Sequence, residues 1–333
     1  MNNLGMNDPG MNDPGMNDPS MNMSEDRTAV LLMAYGTPRT PDEILPYYTD
    51  IRRGRPPTDE QLADLVRRYD AIGGISPLAQ RTEAQRDALQ SALDDAAPGR
   101  FFVTLGLKHA APMIESAVDV LADAGFRHIV GLVLAPHYSS FSIGQYMDRA
   151  EAAGTPRGVT VTRITSWATE SAFIEFIAAD LRRRLDSMPA NTKVLFTAHS
   201  LPQRIIDAGD PYPDELRATA ELVAKAVGLE HWSRWAIAWQ SAGRTPEPWI
   251  GPDILQVIDE LGTSESASGV LVSAVGFVAD HLEVLYDLDI EAAHLAETLG
   301  LAFDRTACVN DDPNVMAALA ERVIEADVSR RPA

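Results

Sequence analysis

The sequence predicts a doubly wound α/β protein built as two similar halves with a ligand cleft between them. Three observations carry this reading. First, short continuous runs rich in β-branched residues recur: TAVLLMAY, FFVTLGLK, HIVGLVLA, VTVTRIT, KVLFTA, WAIAW and SGVLVSAV. Unbroken apolar runs suit parallel strands covered on both faces. Second, helical patterns such as APMIESAVDVLADAG and PYPDELRATAELVAKAVG lie between most of them, the alternation expected of α/β sheets. Third, the layout repeats. FFVTLGLK through LAPHYS runs strand, polar loop with proline, helix, strand, polar loop, and WAIAW through GFVADH does the same.

In chain order, the first element is a low-complexity tail. MNDPG recurs with a period of five before Thr28. Asn, Asp, Pro and Gly all favour turns, and nothing there can be buried. A disordered tail is expected, with Met23, before SEDRTAV, as a candidate true start. From Thr28 the seven runs follow, and six of them lead into polar residues of interest: Tyr35, Lys108–His109, His137–Tyr138, His199–Ser200, Gln240–Ser241 and Asp280–His281–Glu283. Ligands of doubly wound folds bind at the carboxyl ends of strands, so these residues form the candidate site.

Composition narrows the function. With 333 residues and 45% hydrophobic residues the chain can build a proper core. No apolar run is long enough to span a membrane and no secretory signal is visible, so a cytoplasmic protein is expected. The formal net charge of -20 argues against nucleic acid or an anionic membrane surface as partner, since either needs a basic footprint. Cys308 is the single cysteine, which rules out an internal disulfide or a four-cysteine cluster.

Three stretches bear chemistry. GFVADHLEVLYDLDIE places Asp280, Glu283, Asp287, Asp289 and Glu291 after a buried strand. At about 100° per residue, with Glu283 at zero, Asp287 falls near ~40°, Asp280 near ~60° and Glu291 near ~80°. A narrow acidic stripe on an otherwise apolar helix marks a cleft wall, and its mutual repulsion calls for a cationic partner. Asp280 as N-cap with Glu283 as its capping-box partner is the structural alternative for the first turn. In LFTAHSLPQRIIDAGDPYP, His199 ends a central strand; imidazole and carboxylate together suit a divalent ion or proton transfer. In YYTDIRRGRPPTDEQLADLVRRYDAIGGISPLAQR, five arginines (52, 53, 55, 67 and 68) gather in a very acidic protein. Pairing of Asp64 with Arg68 on a helix explains one of them. Arg52, Arg53 and Arg55 lie in a Gly/Pro loop and point to an anionic ligand. Neither GxGxxG, GxxxxGK[ST] nor HExxH occurs.

These motifs together resemble the ferrochelatases, which insert ferrous iron into a porphyrin. LFTAHSLP…GDPYP and VGFVADHLEVLYDLDIE are similar to the family's two signature stretches. MAYGTP, YYTDIRRGRPP, RYDAIGGISPLA, GLKHAAPMIE, LAPHYSSFS and WQSAGRTPEPWIGPD add to the match. The WQSAGRTPEPW and AYGTP variants look most like the coproporphyrin III ferrochelatases of Gram-positive-type bacteria. The resemblance implies two Rossmann-like, chelatase-type domains around a porphyrin cleft. Their expected bounds are a tail over 1–27, a first domain over 28–166, a second over 167–312, and a C-terminal helix over 313–333 packed back on the first domain.

The resemblance also implies roles. His199 and Glu283 would be the catalytic pair. Tyr35, Arg52, Arg68, Ser76 and Tyr146 would bind substrate, the last four through propionates. His199, Glu283, Tyr35, Asp287 and Glu291 would meet metal. Asp287 and Glu291 would continue the acidic line outward, as candidates for an accessory divalent cation. His109 and Lys108 match positions near the cleft. Coproporphyrin III and Fe²⁺ would be the substrates, with no 2Fe–2S cluster, no integral membrane association, a monomeric state, and a transient contact with coproheme decarboxylase. Rival readings are a protoporphyrin IX ferrochelatase, a cobalt or nickel chelatase for another tetrapyrrole, and a non-catalytic porphyrin carrier.

Overall fold

The computed structural model describes residues 27–230, 233–243 and 245–330. The sequence-predicted tail and the candidate start at Met23 lie outside the described residues, apart from Arg27.

The first half opens with β1 (Thr28–Ala34), followed by α1 (Ile44–Ile51), α2 (Asp59–Ala71) and α3 (Leu78–Ala96). Next come β2 (Phe101–Leu107), α4 (Ile114–Asp123), β3 (His128–Val133), α5 (Ile143–Gly154) and β4 (Thr160–Ile164). The second half runs α6 (Ser171–Leu185), β5 (Thr192–His199), α7 (Gln203–Asp207), α8 (Tyr212–Val227), β6 (Trp235–Gln240), α9 (Ile254–Thr263) and β7 (Gly269–Ser273). It continues through α10 (Leu282–Leu285), a π-helix (Asp287–Ala292), α11 (Ala293–Thr298) and β8 (Ala302–Arg305), and α12 (Pro313–Arg330) ends the chain.

The predicted fold class is the observed one. Two four-stranded sheets have the orders β2-β1-β3-β4 and β6-β5-β7-β8, and every pairing is parallel. The topology is the same in both halves, as the repeated layout suggested. β1 and β5 are central, which explains why TAVLLMA and KVLFTA read as unbroken apolar runs: β1 is buried throughout. β8 escaped the sequence reading. Its four residues AFDR are half-buried at a sheet edge and carry no apolar run.

Helix ends follow local chemistry. Thr58 and Gln61 form a capping box that starts α2, and Asp253 and Gln256 do the same for α9. Gly228, at φ 76°, ends α8 in the left-handed conformation.

One apolar core runs through both halves. It joins Val30 and Leu32 of β1, Leu89 and Leu93 of α3, Phe173 and Leu181 of α6, Phe196 of β5, Leu216 of α8 and Leu319 of α12. Separate cores cover the outer face of each sheet, under α4 and α5 in one half and under α9 to α11 in the other. From the end of the second half α12 returns to the first. Its Asp327, fully buried, accepts from the Thr28 hydroxyl at 2.7 Å and pairs with Arg100. Among the described residues no helix is long and apolar enough to cross a membrane.

Candidate active site

The carboxyl ends of the central strands carry the predicted side chains. In the first half, Lys108 N donates to Ala34 O (2.9 Å) and His109 N to Tyr35 O (3.0 Å), so Tyr35 and His109 emerge side by side. In the second half His199 and Gln240 are register partners, and Ser200 N donates to Gln240 O at 2.8 Å.

The second half builds an acid–imidazole pair. His199 Nδ1 lies 2.5 Å from Ser200 O. A carbonyl only accepts, so Nδ1 carries the hydrogen, and whenever the ring is neutral its lone pair is on Nε2. That Nε2 faces Glu283 Oε2 at 3.7 Å. His281 repeats the arrangement: its Nδ1 donates to Ala279 O at 2.9 Å and its Nε2 lies 3.9 Å from the same Glu283 oxygen. Burial pushes the Glu283 carboxyl up, but His199 and His281 in their protonated forms, together with the Ser241 hydroxyl, more than offset this and hold its pKa down at about 2. Gln240 Nε2 donates to the Glu283 carbonyl at 3.2 Å and so ties this segment to the end of β6. Sequence reasoning places His281, Gln240 and Ser241 at strand ends but gives none of them a role. The His-x-Glu spacing was the signal for His281.

The acidic stripe is built differently from the predicted helix. α10 is a single turn, and the chain then widens: Glu291 N donates to Tyr286 O at 3.0 Å, an i→i+5 bond. π-turns of this kind recur at functional sites. Asp287 is only 8% exposed, accepts from Ser241 Oγ at 2.5 Å and meets Arg68 Nη1 at 3.4 Å. Burial raises its pKa to about 6, the Glu283 and Glu291 charges push the same way, and Ser241 and Arg68 oppose them. Ser241 holds φ 60°, an uncommon value for a residue with a side chain. The capping box does not form. His281 is the N-cap and has no side-chain cap bond. Asp280 instead takes Arg305 Nη2 (3.1 Å) and Asn310 Nδ2 (2.9 Å), because the guanidinium offers a charged partner that a backbone amide cannot match. Arg305 also holds Asp289 at 2.5 Å, away from the stripe.

The first half supplies aromatic and cationic groups. Tyr35 is 41% exposed, and its ring lies 4.6 Å from that of His109. Although the residue as a whole is exposed, the protein packed around its phenol raises that group's pKa, and the Glu283 charge adds to the shift, which couples the two halves electrostatically. His109 Nδ1 lies 2.7 Å from Asp50 Oδ2. Burial lowers the Lys108 pKa to about 8, helped by Arg149 and Arg53, and its ammonium sits 5.0 Å over the Tyr146 ring.

Among the residues expected to bind propionates, Arg52 is half-buried after α1, with Nε 3.3 Å from Arg55 O. Arg68 keeps its predicted Asp64 partner at 3.4 Å, lies over the Tyr286 ring at 4.8 Å and bridges to Asp287. Ser76 and Tyr146 are each 4% exposed; the Ser76 hydroxyl accepts from Leu78 N at 3.2 Å. His137 does not join the site. It is 3% exposed, its Nε2 meets Thr219 Oγ1 at 2.8 Å, and burial lowers its pKa to about 3. Its strand-end position in sequence places it at the joint between the halves, where α8 fills the space a ligand would need.

Among the described residues no three His, Cys, Asp or Glu side chains form a preformed metal cage. A surface pocket of about 590 Å³ between α6 and the start of α12, lined by Phe176, Asp180, Arg183 and Asp312, shares no residue with this site.

Comparison with known proteins places the chain in a family. Residues 27–327 match the family model described as Ferrochelatase. The coproporphyrin III ferrochelatase of Geobacillus kaustophilus (strain HTA426) is 44% identical over 309 residues, covering 91% of this chain and 97% of that protein. The coproporphyrin III ferrochelatase of Bacillus subtilis (strain 168) is 42% identical, covering 91% and 99%. Among solved structures, the sirohydrochlorin chelatase SirB of Bacillus subtilis subspecies spizizenii in complex with cobalt superposes with a TM-score of 0.54 at 12% identity, covering 91% of this chain and 97% of its own. That likeness shows the fold alone. With the family model spanning nearly the whole described chain and relatives above 40% identity along it, the chain belongs to the ferrochelatase family.

Proposed function

We propose that the chain inserts Fe²⁺ into coproporphyrin III to give Fe-coproporphyrin III. The observation that carries the reading is the His199–Glu283 pair, with its free Nε2 lone pair and an ionised carboxylate at 3.7 Å, in a chain that is 42–44% identical to coproporphyrin III ferrochelatases.

Insertion exchanges two pyrrole protons for one Fe²⁺, so the site must accept protons and tolerate cations. His199 Nε2 takes the first pyrrole proton, passes it outward past Asp287 and Glu291, and then takes the second. Glu283 stabilises the imidazolium that results, since it stays ionised down to about pH 2. The Ser200 carbonyl keeps the ring in the tautomer this needs. Asp287 and Glu291 continue the negative line outward along the π-helix, as a path for Fe²⁺ inward or protons outward. Tyr35 lies on the opposite ring face and meets the iron of the product. Arg52 and Arg68 pair with propionates, each charge-assisted bond contributing about 1.5–3 kcal/mol. Ser76 and Tyr146 join them only if local side-chain movement exposes their hydroxyls.

The deciding assay compares coproporphyrin III with protoporphyrin IX as acceptor of Fe²⁺ without oxygen. Preference for coproporphyrin supports the reading. Preference for protoporphyrin, or turnover only with Co²⁺ or Ni²⁺ on another tetrapyrrole, would overturn it.

A further inference from the structure

α1 holds Tyr35 from two sides. The Tyr47 ring stands edge-on to that of Tyr35, with centroids 6.5 Å apart and planes at 80°. Tyr47 Oη also donates to Gly36 O at 3.2 Å, which fixes the turn just after Tyr35. Gly36 sits at φ 87°, and a Cβ there would come within 2.8 Å of Ala110 Cβ, so this turn and the segment after His109 are pressed together. On the other side the His109 ring is tilted against Tyr35 at 4.6 Å, and Asp50 Oδ2 holds His109 Nδ1 at 2.7 Å. A carboxylate only accepts, so Asp50 fixes which ring nitrogen points at it and thereby the plane of the ring. Tyr47 and Asp50 are three residues apart and share one face of α1. The Asp50 side chain is 48% exposed, while that of His109 is only 14% exposed. An exposed phenol would ordinarily rotate freely. This one is wedged between the Tyr47 and His109 rings.

We propose that α1 is a brace for Tyr35, and that Asp50, acting through His109, is a positioning residue that sets the orientation in which the phenol meets iron in the product complex. The proposal rests on the function given above, in which Tyr35 faces the metal. Arg52 directly follows the same helix. One short element therefore carries both a propionate contact and the brace, and gripping the substrate's edge also steadies the group on its face.

The test uses the full chain loaded with ferric coproporphyrin III and reads the phenolate-to-iron charge-transfer band, together with the rate of product release. Tyr35→Phe defines the signal to be lost. Asp50→Ala should weaken the band at least threefold and speed release, with affinity for metal-free coproporphyrin within twofold of the parent. Asp50→Asn keeps an acceptor oxygen and should restore most of the band. A merely structural role for Asp50 would lower thermal stability without moving the band. If Tyr35→Phe abolishes the band and Asp50→Ala leaves it unchanged, the brace is wrong while the role of Tyr35 stands. If Tyr35→Phe leaves the spectrum unchanged, both fall. Should Asp50→Ala fail to fold, His109→Gln reads the same link from its other end, with an undisturbed band again counting against the brace.

Discussion

The two halves share one sheet topology and differ in what their strand ends present. β1 and β2 end in Tyr35, Lys108 and His109, backed by arginines from α2 and from the loop that follows α1. β5 and β6 end in His199, Gln240 and Ser241, backed by the carboxylates of α10 and the π-helix. The charged groups gathered around the two sets of strand ends thus differ in sign. The cationic and aromatic half is suited to hold an anionic ring, and the acidic half to exchange its protons for a cation. Duplication of a fold supplies a symmetric frame, and the chemistry comes from making the two sets of loops unlike each other.

If that division holds, substitutions in the second half should cost turnover and those in the first should cost substrate affinity. The largest effect is expected for His199→Ala, which should lower kcat by about 10²–10⁴-fold, the usual worth of a positioned proton acceptor. Coproporphyrin binding, followed by fluorescence, should stay within about twofold; near-normal turnover would remove His199 from the reaction. Next is Arg68→Ala. Loss of one charge-assisted propionate bond, about 1.5–3 kcal/mol, should raise Kd for coproporphyrin III by about 10–100-fold and that for protoporphyrin IX by less. Equal losses would place Arg68 outside the propionate set.

Asp287 gives a test in pH. With its pKa at about 6, it is ionised above that value and neutral below it. At limiting Fe²⁺, kcat/KM for iron should rise with pH through about 6, and Asp287→Asn should flatten this step. Stability moves in the opposite direction. A carboxyl raised from 3.8 to about 6 favours the fold at low pH, and that advantage is lost as pH climbs through its folded value. The Tm of Asp287→Asn relative to the parent should therefore be higher at about pH 7 than at about pH 3.5; a constant offset would contradict the burial of an ionised Asp287. The smallest effect is expected for Asp280→Ser. Serine is a good helix cap, so a capping role would leave stability unchanged. Because Asp280 instead satisfies Arg305 and Asn310, a loss of about 1–3 kcal/mol in urea unfolding is expected.

Much of the molecule is legible in the sequence because it rests on periodicity and strand-end position. The seven apolar runs, the repeated layout, and the placing of Tyr35, His199 and Glu283 at strand ends all follow from such patterns. What stays hidden depends on long-range partners. Arg305 is distant from Asp280 in sequence and converts an expected cap into an anchor. Thr219 of α8 claims His137, which sequence position alone puts among the ligand-facing residues. The π-turn inserts its extra residue without disturbing the apolar pattern, so a uniform helical step finds the right acids on the wrong curve. For Arg68 the sequence supports both a helix-pair partner and an anion contact. The structure shows it paired with Asp64 and bridging to Asp287.

The continuous core beneath both sheets has a mechanical consequence. Independent jaws would have to part Leu89 and Leu93 of α3 from Leu319 and Val323 of α12, and His137 of the first half from Thr219 of α8. Close-packed interiors resist such separation, because drawing the side chains apart opens voids and forfeits dispersion attraction. The molecule behaves less like a hinged clam than like a vice with a fixed throat. A rigid planar guest must then be admitted and released by its lips, the short α1 and the widened turn at Asp287–Ala292, and a frame that does not give way can press a flat ring out of plane.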